Sequence, residues 1–187
     1  MAAGSTTSIS LASNALLLLG HESIASFEET TAGATIASNL YQSSYYSVLT
    51  TYRWRFASKK ALLARLSETP LNSYTYQYQI PTDCLYVITP ISVIDYEIYE
   101  DKIYCNEPTL EIDYTYKVAE DKLPAYFIKM FEFFLAAQFA LPITGSLDKM
   151  KAMQTAYMHQ LRMAKHADST QRPADTFVSN PYIDVRY

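Results

Sequence analysis

The hydrophobic period of this chain changes twice. From Thr7 to Thr51 apolar residues recur at helical spacing, between residues 58 and 118 they alternate, and after Pro124 helical spacing returns. A helical stripe does not fit a strand, nor an alternating run a helix, so the chain must fold as helices interrupted by a β unit.

The first helix is expected from Thr7 to Leu19, capped by Thr6 or Thr7 and stopped by Gly20, with Ile9, Ala12, Leu16 and Leu19 on one face. A second runs from about Thr30 to Thr51, with a seam of Ala32, Ile36, Leu40 and Ser43. Strands are expected at Ala61–Leu66, Tyr74–Ile80, Leu85–Thr89, Ser92–Tyr99 and Leu110–Val118, with Glu100-Asp101-Lys102 as a hairpin tip and Pro90 marking an edge or break. In Tyr74–Ile80 the tyrosines share one face and Thr75, Gln77 and Gln79 the other; in Leu110–Val118, Glu111, Asp113, Thr115 and Lys117 point outward. A third helix follows Pro124, striped by Phe127, Met130, Phe131, Phe134 and Ala137 and ended by Pro142 and Gly145. Ser146 caps a fourth, reaching about Ala167, with Met150, Met153, Tyr157, Leu161 and Ala164 inward. The resulting fold class is α+β and mainly helical. A four-helix bundle-like body (1–57 and 119–167) is interrupted by a small antiparallel β insertion (58–118) and followed by an extended C-terminal arm (168–187).

Charge is segregated along the chain. Residues 1–52 lack Lys and Arg, residues 53–65 carry Arg53, Arg55, Lys59, Lys60 and Arg65 without an acid, and residues 83–122 are strongly acidic. The net charge of −4 argues against bulk nucleic-acid binding, while segregated patches suit complementary contacts between copies. The 17 tyrosines fit either strand formation or interfaces.

Chemistry-bearing motifs are sparse. No phosphate loop, zinc-protease, hydrolase-elbow or EF-hand pattern occurs, and His21, His159 and His166 lack ligand spacing, so no catalytic residue, cofactor or metal is expected. Cys84 and Cys105 read as buried apolar thiols. No apolar run reaches a membrane span and no signal peptide is evident, so the expectation is an intracellular protein, or one carried in a particle assembled inside a cell, with no membrane partner. Two rival activities remain open: a cell-wall hydrolase using Asp95, Glu97, Glu100 or Asp101, and a nucleic-acid-binding module at residues 53–65, where Trp54 and Phe56 would stack on bases. The favoured reading makes Trp54 and Phe56 a structural joint between helices and β unit. Phe177, Val178, Tyr182, Ile183, Val185 and Tyr187 make the last segment too apolar for a free linker, so it needs a groove on its own body or on a partner.

Four motifs in order resemble one family. They are Ala15-Leu16-Leu17-Leu18-Leu19-Gly20 followed by Ile24 and Ser26-Phe27-Glu28-Glu29; Trp54-Arg55-Phe56-Ala57 with Lys59-Lys60; the alternating tyrosines from Tyr74 to Pro81, Asp83 and Cys84; and Ala136-Ala137 through Ala140-Leu141-Pro142-Ile143-Thr144-Gly145-Ser146. The resemblance covers about residues 8–167 and is to tail tubular protein A, the head-to-tail adaptor (connector) of short-tailed bacteriophages. Arg53 stands where many members have proline.

The resemblance implies a non-enzymatic structural protein of the virion, at the head–tail interface. It would form a ring of about twelve copies between the portal protein and the tail nozzle, a tail tubular protein B-like partner. Double-stranded DNA would pass through the lumen without specific binding, and the β unit would face the tail tube. The C-terminal arm would reach the portal, with Arg172, Phe177, Val178, Tyr182, Ile183, Arg186 and Tyr187 as the expected contacts.

Overall fold

The computed structural model describes residues 6–91 and 95–171. Among the described residues it is an α+β fold with four α-helices, α1 (Ser8–Leu18), α2 (Ala32–Thr51), α3 (Ala125–Thr144) and α4 (Leu147–Ser169). Between α2 and α3 the described residues form six strands: β1 (Ser58–Leu62), β2 (Tyr76–Gln79), β3 (Cys84–Ile91), β4 (Tyr96–Tyr99), β5 (Lys102–Cys105) and β6 (Glu111–Tyr116). They form two antiparallel sheets, ordered β1-β6-β3 and β2-β5-β4.

Local chemistry sets the helix ends. Thr7 caps α1 through a reciprocal bond with Ser10, Thr31 caps α2 by accepting from the Ala34 amide, and Ser146 caps α4 by accepting from the Lys149 amide. Gly20 and Gly145 take positive φ just past α1 and α3, a conformation that costs glycine little. Pro142 does not end α3: it sits in the last turn, and the helix runs on to Thr144. α4 also extends past its expected end, to Ser169, so the first residues assigned to the arm are helical.

α3 is the hub, packing against α1, α2 and α4. Phe127, Met130, Phe131, Leu135, Phe139 and Ala140 fill the main core from this helix, while Phe134 and Ala137 of the expected stripe are only half-buried. On α2 the buried face is offset from the expected seam. Ala34, Ala37, Tyr41, Tyr45, Val48 and Leu49 are inside, whereas Ala32 and Ser43 are exposed and Ile36 and Leu40 half-covered. Two tyrosine hydroxyls explain the offset. Tyr45 donates to the Val118 carbonyl at 2.8 Å and Tyr41 to a Glu120 carboxylate at 3.4 Å, so both rings enter the core with their polar tips satisfied. Burial and the nearby Glu120 charge push both phenols above their ordinary pKa.

A smaller core joins the sheets: Leu63, Tyr78, Ile103, Cys105, Leu110, Ile112 and Tyr114. After β1 the chain crosses between them. The Leu63 amide bonds Leu110 O, then the Leu66 amide bonds Gln77 O and Arg65 bridges Tyr78. Thr115, expected to face outward, and Gln77, expected on the face opposite the tyrosines, are both covered. Gln77 tolerates burial because its amide nitrogen donates to Glu68 O at 3.0 Å, and Thr115 lies on the central strand of its sheet. Pro90 lies in β3, an edge strand, where a missing donor disrupts no inner ladder.

Candidate functional site: a basic groove and an open strand edge

The joint between helices and β unit is a tight turn. Tyr52 leaves α2 in extended conformation, and the Trp54, Ala57 and Ser58 amides bond back to Tyr52, Trp54 and Arg55 carbonyls. Trp54 is fully buried, and its indole donates to Val48 O at 3.0 Å. Its ring meets Tyr52, Phe56 and Phe127 with centroids 4.9, 5.9 and 5.2 Å away, and Phe56 sits 4.9 Å from Phe127. Trp54 thus lies inside the protein, where no base could stack on it, and Phe56 is half-buried against the same core.

Asp168, expected in the arm, is a core residue of this joint. It is fully buried, accepts the Arg55 amide through both carboxylate oxygens, and accepts the Tyr126 hydroxyl at 2.9 Å. Burial and this bond raise the Tyr126 pKa. The sequence did carry a signal: an acid in the last turn of a helix opposes the helix dipole unless something compensates it.

The basic run is divided by the fold. Arg53 pairs with Asp113 of β6, which ties the junction to the sheet. Lys59 pairs with Asp83 at 2.8 Å and lies 3.9 Å over the Tyr116 ring, and Arg65 covers the Tyr76 ring at 4.9 Å. The Lys59 ammonium, and then the Tyr114 hydroxyl, hold Asp83 below the usual carboxylate range. Arg55 and Lys60 are exposed and have no side-chain partner among the described residues. Arg53, Arg55, Lys59 and Lys60 line a groove of about 390 Å³ with Asp113 on its wall.

The β4–β5 hairpin carries the opposite charge. β4 is an edge strand, and every residue from Asp95 to Asp101 is exposed, including Tyr96, Ile98 and Tyr99. Glu100, at the tip, has φ of +54°, a left-handed conformation that glutamate adopts at a cost. Asp95 accepts the Tyr74 hydroxyl at 2.9 Å, which pushes that phenol up to about 12, and Asp101 accepts Gln79 Nε2 at 2.8 Å. The Glu97 and Glu100 carboxylates have no hydrogen-bond partner among the described residues. A second groove, of about 630 Å³, runs between β3 and β4 past Ile80, Tyr86 and Ile98.

Burial raises the pKa of both Cys84 and Cys105, which disfavours the nucleophilic thiolate. No cluster suited to a metal ion occurs among the described residues. α3 is long and apolar enough to cross a membrane, beyond the sequence expectation, but here it is the central packed helix. The expected portal contacts Arg172, Phe177, Val178, Tyr182, Ile183, Arg186 and Tyr187 lie outside the described residues. No protein-family model and no curated protein matches the chain.

Proposed function

We propose that this chain is a head-to-tail adaptor of a short-tailed bacteriophage, a non-enzymatic virion subunit that rings the DNA path between portal and tail nozzle. The observation that carries the reading is the β4 edge, unpaired among the described residues, with Tyr96, Ile98 and Tyr99 exposed on one four-residue strand. An uncovered, aromatic edge strand is an association hazard for a solitary chain and an asset for a subunit. The order of the four sequence motifs supports the same family. On this reading the four helices act as one bundle-like body, the β unit faces the tail tube, and the C-terminal segment contacts the portal. With −4 per copy, the lumen would have little affinity for phosphate and would let DNA slide.

The test uses tailless capsids bearing the cognate portal. Full-length protein should let the capsids acquire the nozzle, whereas a chain ending at Gln171 should fold and fail to attach. Cutting after Gln171 spares Asp168, which a cut after Ala167 would remove from the joint. Attachment by the shortened chain would refute the role of the arm, and no attachment by the full chain would refute the adaptor.

A further inference from the structure

We propose that the basic groove of one copy receives the β4–β5 hairpin of a second copy. The inference rests on the ring-forming part of the reading above and names the surfaces that would join. Arg55 and Lys60 at the groove, and Glu97 and Glu100 on the hairpin, are exposed charges without a side-chain partner among the described residues. They form two pairs of opposite sign on different parts of the molecule, so one copy can offer its groove to one neighbour and its hairpin to another. Such a head-to-tail contact is heterologous and generates rings when the rotation closes. The hairpin also brings Tyr96, Ile98 and Tyr99, apolar area whose removal from water would add to the charge attraction.

The groove suits a carboxylate better than a nucleic-acid backbone. Asp113 already neutralises Arg53, Asp83 already neutralises Lys59, and the net charge of −4 repels a polyanion. What remains is a guanidinium and an ammonium beside a carboxylate wall, matched in number by Glu97 and Glu100.

Zero-length carbodiimide cross-linking tests this. Ordinary and isotope-labelled full-length chains are mixed at high concentration, and mixed-isotope peptides are mapped by mass spectrometry. Links from Lys59 or Lys60 to Glu97 or Glu100 are expected between chains. E97Q combined with E100G removes both reactive carboxyls, so these links should vanish, and association of the copies should weaken about tenfold while the protein melts no lower than the parent. A chain carrying R55E and K60E should associate poorly alone, as should one carrying E97K and E100K. A mixture of the two should associate, because one like-charged interface becomes complementary. Links only elsewhere, no links, a mixture no better than its components, or loss of the links to a mixed-sequence DNA duplex occupying the groove would each overturn the interface. Portal-bound rings linked elsewhere would overturn it while sparing the adaptor. The expected links in a chain that ignores the portal would uphold it and defeat the adaptor.

Discussion

Asp168, on the last turn of α4, grips the backbone N–H of Arg55 with both carboxylate oxygens, at 3.2 and 3.1 Å. The two residues are 113 apart in sequence. This contact fastens the end of the last helix to the turn by which the chain leaves the helices for the sheets. Tyr126 of α3 completes it, so one buried carboxylate links three parts of the fold.

Asp168→Ala should strand a buried amide and a phenol. The expected loss is about 1–3 kcal/mol, the usual cost of buried groups left unpaired. Tyr126→Phe removes the bond to Asp168 and the exposed one accepted from Gln171 Nε2, and should cost about 1 kcal/mol. Urea unfolding of both variants checks the ranking, and an unchanged midpoint for Asp168→Ala would contradict the role of the latch.

Trp54→Ala should remove about 3–5 kcal/mol, because the ring is fully enclosed and leaves a cavity among Tyr52, Phe56 and Phe127. Trp54 is also the sole tryptophan. Its emission should be blue-shifted in the native protein and move red in the same denaturant transition as the helical circular dichroism signal.

Acid should weaken the Lys59–Asp83 tie. Asp83 binds its proton less readily in the folded chain than in the unfolded one, so the unfolded state takes up more protons as pH drops. The contribution is complete above the ordinary carboxylate value of about 4 and is lost as pH falls through the lower folded value. Asp83→Asn should flatten that part of the stability–pH curve. Added salt should shrink the effect, since both side chains are substantially exposed.

Glu100→Gly should stabilise the monomer by about 0.5–1 kcal/mol, by relieving the positive φ at the hairpin tip at a small entropic cost. Thermal melts of dilute protein measure this. A lower melting temperature would show that Glu100 makes a favourable contact within its own chain.

The helices were legible in the sequence because their ends carry local chemistry: Thr7, Gly20, Gly145 and Ser146 act through bonds or backbone conformations spanning a few residues. The face of α2 was less legible, since tyrosine fits inside or outside according to whether a distant carbonyl such as Val118 O meets its hydroxyl. β5 was missed because Lys102–Cys105 is a four-residue strand directly after a tight turn, too short for a period to register. Division of the chain into two sheets was equally hidden, being set by β1 crossing towards β2 rather than by any local pattern. At the candidate site, the basic run was plain in sequence, but its neutralisation by Asp113 and Asp83 depends on strand register.

Electron microscopy of the purified chain mixed with its cognate portal tests the central claim most directly. The adaptor account predicts a symmetric ring of this chain seated on the portal, with subunits joined laterally and a continuous axial channel. Portal particles with no added density, at protein concentrations high enough to saturate a specific contact, would contradict it.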